Sequence, residues 1–218
     1  MTTLPDDERD ADRPAAPPTR KGTHTRERIR VAAVSLFAEQ GYHATSIAEI
    51  GTRADIQRGA LYYHIRSKEE LLFDVLRDLV ERVLDGVLAI ADQPIGPSEK
   101  LRRLIIFQTQ TMLDRHEEMV IYSRDGYALT EDRLTRFRRL QGAVEDVWAR
   151  VLDEGGKSGE LRPVDPAVRK SIILLVNSPH DWFRSGGRLT NLEVGEMLAD
   201  LVMRGVASPT PANRREPG

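Results

Sequence analysis

The sequence predicts an all-α protein of about nine helices: an N-terminal three-helix helix-turn-helix domain, then a C-terminal helical bundle. Three observations lead there. Apolar residues recur at helical spacing from Thr23 almost to the end, capping residues open one segment after another, and no stretch alternates convincingly like a strand. With 218 residues, 40% of them hydrophobic, the chain can bury a real core.

Residues 1–21 hold four prolines and many acids, too little apolar surface to offset the entropy of ordering, and are expected to be a disordered tail. Ile29, Ala33, Leu36 and Phe37 then follow the i, i+4, i+7, i+8 spacing of an amphipathic helix that Gly41 ends. Thr45 or Ser46 caps the next helix, in which Ile47, Ile50 and Ala54 share one face. A turn at Asp55 leads into QRGALYYHI, whose Ile56, Ala60, Leu61 and Ile65 are expected to cover the preceding helices. These elements place a helix-turn-helix domain at 22–66.

Ser67 and Glu70 form a capping box at the head of a long helix carrying Leu71, Leu72, Val75, Leu79 and Val83, which the Pro94–Pro97 turn stops. Ser98 caps the next helix, the shorter HEEMVIYSRDG follows, and Thr130 caps a helix reaching about Asp153. EGGKSGELRP reads as a loop from its glycines. Asp165 and Pro166 fit N-cap and N1 of another helix, which Pro179 kinks or ends. Thr190 and Glu193 make a second box ahead of VGEMLADLVMRGV. Residues 67–207 therefore form the bundle, and 208–218 a flexible tail.

No cysteine is present, which excludes disulfides and thiolate metal sites and suits a reducing compartment. No run reaches the ~20 apolar residues of a membrane span, and no signal-peptide core is seen, so the expected location is the cytoplasm. The net charge of −2 conceals a positive block: residues 20–77 carry ten Lys/Arg against seven acids.

The segment QRGALYYHIRSKEEL displays two tyrosines and a histidine between Arg58 and Lys68. If Leu61 and Ile65 face inward, then Arg58, Gly59, Tyr62 and Tyr63 face outward with His64 beside them. Tyrosine hydroxyls suit phosphates and their rings suit sugars or thymine methyls, while Arg58 suits bidentate reading of guanine. Lys68, in the first turn of the following helix, suits a phosphate. The plain alternative is that both tyrosines are half-buried packing residues and both cations merely solvated.

Residues 28–76, with LFAEQGY, TSIAEI and GALYYHIRSKEELL in order, resemble the DNA-binding region of the tetracycline-repressor (TetR) family. The resemblance implies a dimeric, ligand-responsive transcriptional regulator, usually a repressor, binding a double-stranded DNA operator. It implies that Thr45 and Ser46 touch phosphate, that Arg58, Gly59 and Tyr63 approach bases, and that Tyr62, His64 and Lys68 hold the DNA backbone. One departure is Asp55, where the family commonly has glycine in the turn; aspartate tolerates the left-handed conformation better than most residues. Another is Gly51 inside the second helix, a position explained by close packing on a neighbouring helix.

In the bundle, Val194, Met197, Leu198, Leu201 and Val202 form an apolar stripe for a homodimer, with Gly195, Ala199 and Gly205 permitting close approach; an internal core is the alternative use. Phe107, Gln108, Thr111, Tyr122, Trp148, Asn177 and Trp182 fit a mainly apolar ligand pocket with a few orienting groups. The arginines at 102, 103, 136, 138 and 139 suit an anionic ligand's phosphates or simply solvated helix faces. DPAVRKSIILLVNSPHDWFRSGGRLTNLEVGEMLADLVMRGV resembles TetR-type regulators of fatty-acid and sterol breakdown, which implies a hydrophobic acyl or acyl-CoA effector. The alternatives are a helix-turn-helix regulator without a small-molecule effector and a multidrug-type sensor of cations.

No Gly-rich phosphate loop, G-x-S-x-G elbow or H-E-x-x-H motif occurs, since HEEMVIY lacks the second histidine. The expectation is a non-enzyme with neither cofactor nor metal.

Overall fold

The computed structural model describes residues 20–208, with side chains from Thr23 onward. The expected tails at 1–21 and 208–218 lie outside the described residues, except that Arg20 and Lys21 already belong to the first helix and Ser208 ends the described chain.

Nine α-helices and two 3-10 turns are found among the described residues. The head is α1 (Arg20–Gln40), α2 (Ile47–Arg53) and α3 (Arg58–His64). The bundle follows as α4 (Lys68–Ala91), α5 (Pro97–Asp114), α6 (His116–Asp125), α7 (Glu131–Ser158), α8 (Pro166–Asn177) and α9 (Asn191–Val206). The 3-10 turns are Gly126–Ala128 and Ser178–Asp181, so Pro179 stands just past the end of α8. Ile29, Ala33, Leu36 and Phe37 are all buried, as their spacing predicts. One hydrophobic cluster runs from them through Leu72, Leu104 and Trp148 to Val206. Helix α4 packs along α7, α5 along α9, and α6 against α1, so α4 and α6 join head to bundle.

Several local expectations are corrected by tertiary partners. Helix α7 does not stop near Asp153; it continues through Gly155 and Gly156 to Ser158 and ends where Gly159 turns left-handed at φ 78°. The glycine at 155 serves packing rather than chain reversal, because a Cβ there would stand 2.4 Å from Leu161 Cδ1. Ser98 does not cap α5. Gly96 holds the N-cap position, and the Glu160 carboxylate, 62 residues on, accepts the Ser98 N–H at 3.1 Å. A Cβ on Gly96 would meet that carboxylate at 2.8 Å. Ser67 caps α4 through the Glu70 N–H at 3.0 Å, but the Glu70 carboxylate reaches past it to the Arg66 N–H, leaving the box half formed. The Thr190–Glu193 box and the Asp165 cap form as expected.

The α9 stripe divides. Val194, Leu198 and Val202 are buried inside the chain, and Gly195 lies against α5, where a Cβ would sit 3.1 Å from Ile106 Cα. Ala199 is also fully buried, so these two small residues seat α9 on α5 rather than on a second copy. Met197 and Leu201 remain exposed, as do Leu192 and, on α8, Leu174. An antiparallel bridge between Leu161 and Ala207 fastens the end of α9 to the α7–α8 connection.

Candidate nucleic-acid interface and effector cavity

Ser46 opens α2 by accepting the Glu49 N–H at 3.2 Å, and the Glu49 carboxylate accepts the Ser46 N–H at 2.7 Å. Gly51 lets α3 approach: a Cβ on it would meet Leu61 Cδ2 at 2.9 Å and the Ile56 carbonyl oxygen at 3.4 Å. Asp55, at φ 52°, adopts the left-handed conformation the turn requires. Its carboxylate is fully exposed and accepts from Arg28 of α1 at 3.3 Å, while the same guanidinium donates to the Ala54 and Asp55 carbonyls. Arg28 therefore both braces the turn and offsets the charge that departs from the family pattern. Nothing in the sequence marks this partner 27 residues upstream.

The packing presents one face of α3. Leu61 and Ile65 are buried, but Ala60 is exposed and does not belong to the inner face. Tyr63 is 87% exposed and Tyr62 51%, which removes the alternative of packing residues for Tyr63. Its ring meets His64 edge-on at 5.2 Å. Arg58 is exposed and makes no hydrogen bond or ion pair among the described residues, and the space around Gly59 is open. Arg66, exposed at the α3–α4 turn, is a further cation on this side that sequence reasoning passed over.

Two expected phosphate contacts are used inside the protein instead. Thr45 is 1% exposed, and its hydroxyl donates to the Gly41 carbonyl at 2.8 Å, which closes the α1–α2 loop. Ser46 beside it is exposed. The Lys68 ammonium donates to the carbonyls of Tyr42 at 2.8 Å, His43 at 3.3 Å and Thr45 at 2.7 Å, and lies 4.4 Å from the centre of the Tyr42 ring. Those three bonds occupy all of its hydrogens. Lys68 ties the α1–α2 loop to the head of α4.

Two further ties join head and bundle, and a third holds α4 against the start of α7. Arg124 of α6 donates to the Phe37 and Ala38 carbonyls at the end of α1. Asp125, 6% exposed, accepts the Tyr42 N–H at 3.3 Å and pairs with Arg124 at 3.1 Å. Glu69 of α4 accepts the Thr130 N–H and pairs with Arg133 of α7, both at 2.7 Å.

Within the bundle a narrow cavity of about 60 Å³ is walled by Leu79, Val80 and Val83 of α4, Met112 of α5, Val144 of α7 and Ile173 of α8. Its polar groups are Gln108, Tyr122, Gln141, Glu145 and Asn177. Burial pushes the Tyr122 phenol above its usual pKa, against the opposing effect of its hydrogen bond from the Gln141 amide. Tyr122, Gln141 and Glu145 also border an outer groove of about 370 Å³ that includes Arg138, Lys170 and Leu174. The Tyr122–Gln141 bond thus stands between cavity and groove.

The predicted pocket residues separate accordingly. Gln108, Tyr122 and Asn177 line the cavity. Trp148 is fully buried behind it and donates its indole N–H to Gln108 at 3.0 Å, a supporting position rather than a lining one. Phe107 and Thr111 border a separate groove with Asp78, Glu81, Arg82 and Asp85, because Phe107 packs on Gly86 and the Thr111 hydroxyl bonds back to the Phe107 carbonyl. Trp182 is 49% exposed past the end of α8 and lines neither the cavity nor these grooves of the single chain. Arg102 and Arg103 are paired with Asp200 and Glu99 on the surface, away from the cavity.

Residues 29–75 match the family described as bacterial regulatory proteins, tetR family, and residues 94–206 match a tetracyclin repressor-like C-terminal domain. The chain is 28% identical over 204 residues to the HTH-type transcriptional repressor KstR2 of Mycolicibacterium smegmatis, covering 89% of this chain and 94% of that one. The solved structure of the ketosteroid transcriptional regulator KstR2 of Mycobacterium tuberculosis superposes with a TM-score of 0.78 at 28% identity, over 84% of this chain and 95% of that one. A structure of AibR in complex with isovaleryl coenzyme A and operator DNA gives 0.73 at 26% identity, over 85% and 100% of the two chains.

Proposed function

The chain belongs to the tetR family of bacterial regulatory proteins, and from that premise we propose that it is a DNA-binding repressor released from its operator by a hydrophobic acyl or acyl-CoA-like effector. The observation that carries the DNA half is the outward face of α3, where an Arg58 with no partner among the described residues, an open Gly59 and the 87% exposed Tyr63 stand together. Tyr62, His64 and the exposed hydroxyl of Ser46 flank that face as backbone contacts. In this reading the protein works as a homodimer in the cytoplasm. Leu174, Met197 and Leu201 on the outer side of α8 and α9 meet their counterparts, and two α3 helices enter successive major grooves about 34 Å apart. The head at 22–66 and the bundle at 67–207 then divide DNA binding from sensing, with no catalytic step.

The effector half is supported by an apolar cavity joined to an outer groove carrying Arg138 and Lys170, which suits an acyl chain with an anionic remainder. The likeness to AibR, whose structure holds isovaleryl coenzyme A and operator DNA, points the same way. Effector entry separates Tyr122 from Gln141 and displaces α6. Because Arg124 and Asp125 of the same helix hold the end of α1, the head moves with it.

The test is fluorescence anisotropy on DNA from upstream of the gene and its neighbours, titrated with acyl-CoAs and, separately, with cationic dyes. Binding that acyl-CoAs reverse is expected; reversal by the cations alone would remove the acyl reading. The cavity's small size favours one rival, a regulator that answers to no small molecule. Operator occupancy unchanged across both ligand sets would select it.

A further inference from the structure

The polar side of the cavity is a chain of amides whose direction is fixed by one buried ring. Trp148, fully buried, has an indole N–H that can only donate. The Gln108 atom facing it at 3.0 Å is therefore the carbonyl oxygen. Gln108 is itself 2% exposed, so it has little room to satisfy the indole in any other way. With its oxygen committed, Gln108 turns its NH₂ toward Asn177, and the atom it meets at 2.8 Å is the Asn177 carbonyl oxygen. Asn177 is left with its own NH₂ directed away from Gln108. Neither of those hydrogens has a partner among the described residues, and Asn177 lines the cavity. Each link polarises the next in a low-dielectric interior, which strengthens the terminal donor.

The rest of the lining sharpens the selectivity. Among the described residues no lysine or arginine borders the cavity, and the Glu145 carboxylate on the same wall disfavours an anion. Apart from the amides, the Tyr122–Gln141 pair and Glu145, the walls are aliphatic or thioether.

We propose that Asn177, oriented through Gln108 by Trp148, is a carbonyl-recognition element: the cavity takes an uncharged apolar chain whose ketone, ester or thioester oxygen accepts from the Asn177 NH₂. The inference rests on the effector reading above and adds which atom of the effector is read. A chain of the same shape without the oxygen buries the Asn177 donors unpaired, and a buried unpaired donor weakens binding by about tenfold to a hundredfold.

The experiment is calorimetry on the full-length protein with octanoyl-CoA and with its thioether analogue S-octyl-CoA, in which a methylene replaces the carbonyl. The thioester is expected to bind at least about tenfold more tightly. Asn177→Asp, which replaces the donor by an acceptor at equal size, and Trp148→Phe, which releases Gln108 to turn over, are each expected to erase the preference. Equal affinity of the two ligands for the unaltered protein overturns the carbonyl element while leaving an acyl effector standing, and this comparison needs no variant to fold. Failure of both ligands to bind overturns the acyl effector and the carbonyl element together. A preference that survives Asn177→Asp undiminished also overturns the assignment to Asn177.

Discussion

Asp125, near the end of α6, accepts the backbone N–H of Tyr42, 83 residues earlier in the chain, at 3.3 Å. Tyr122, one helical turn before Asp125, lines the bundle cavity. One short helix therefore touches the cavity with one turn and the DNA-binding head with the next. Replacing Asp125 by Leu leaves the Tyr42 N–H and the Arg124 guanidinium short of a buried acceptor, a loss of about 1–3 kcal/mol. Denaturant melts are expected to show that loss. Anisotropy is expected to show a smaller ratio between operator affinities without and with effector, because the tie that transmits α6 movement is cut. An unchanged ratio in the folded variant would place the coupling elsewhere, at Lys68 of α4, which holds the α1–α2 loop.

Arg58 has no partner among the described residues and is exposed on α3 with Tyr63. Arg58→Ala is expected to weaken operator binding by about 1–3 kcal/mol, with a much smaller effect on scrambled DNA, since a base contact is lost and the fold is not touched. Equal weakening on both sequences would make Arg58 a phosphate contact.

Lys68 gives the opposite expectation. Its hydrogens are spent on the Tyr42, His43 and Thr45 carbonyls. Lys68→Met should lower thermal stability by freeing the α1–α2 loop, while the slope of log affinity against log salt changes by much less than the ~0.9 that one lost phosphate contact gives. A full unit of slope would restore the phosphate role.

The neighbouring glycines of α7 should respond with opposite sign to alanine. At Gly155 the new methyl would collide with Leu161 Cδ1 at 2.4 Å and Cγ at 2.6 Å, so Gly155→Ala should destabilise by about 1–3 kcal/mol. At Gly156 the nearest atom is Pro163 Cα at 3.6 Å, an ordinary contact, and helix propensity then favours alanine by up to about 1 kcal/mol. Calorimetric melts of the two variants decide this directly.

The Glu39 carboxyl is drawn down to about 2 by hydrogen bonds from Arg53 and Ser35. A depressed acid pKa contributes stability that is present above the unfolded value near 4.5 and lost as pH falls through about 2. The α1–α2 contact should therefore weaken between those pH values, and Glu39→Gln should flatten that part of the acid limb. The pair is exposed, so added salt is expected to reduce the effect. A Glu39 carboxyl titrating near 4.5 by NMR would contradict it.

Most of the head was legible because its signals are local. The Ser46 cap, the left-handed turn at Asp55, the buried Leu61 beside the exposed Tyr63, and the need for Gly51 each follow from residues within about ten positions of one another. Thr45 and Lys68 have protein partners that the sequence did not show, for one reason. A hydroxyl or ammonium near a helix start can serve phosphate or protein carbonyls equally well, and only the folded α1–α2 loop supplies the carbonyls that claim them.

In the bundle, periodicity identified apolar faces but not what covers them. Val194 and Gly195 were assigned to a second copy, yet α5 takes them, because an amphipathic pattern is the same whichever surface lies opposite. Gln108, Tyr122 and Asn177 were found as polar residues among apolar neighbours, whereas Trp182 satisfied that criterion and lies outside the cavity. The sequence by itself determined the helices, their order, the exposed face of α3 and the family. Tertiary structure alone decided which arginine offsets Asp55, how α6 grips the head, and in which direction the Trp148–Gln108–Asn177 amides point. Those are contacts between residues tens of positions apart, and hydrogen-bond direction is set by the partner that has no choice, here the indole N–H.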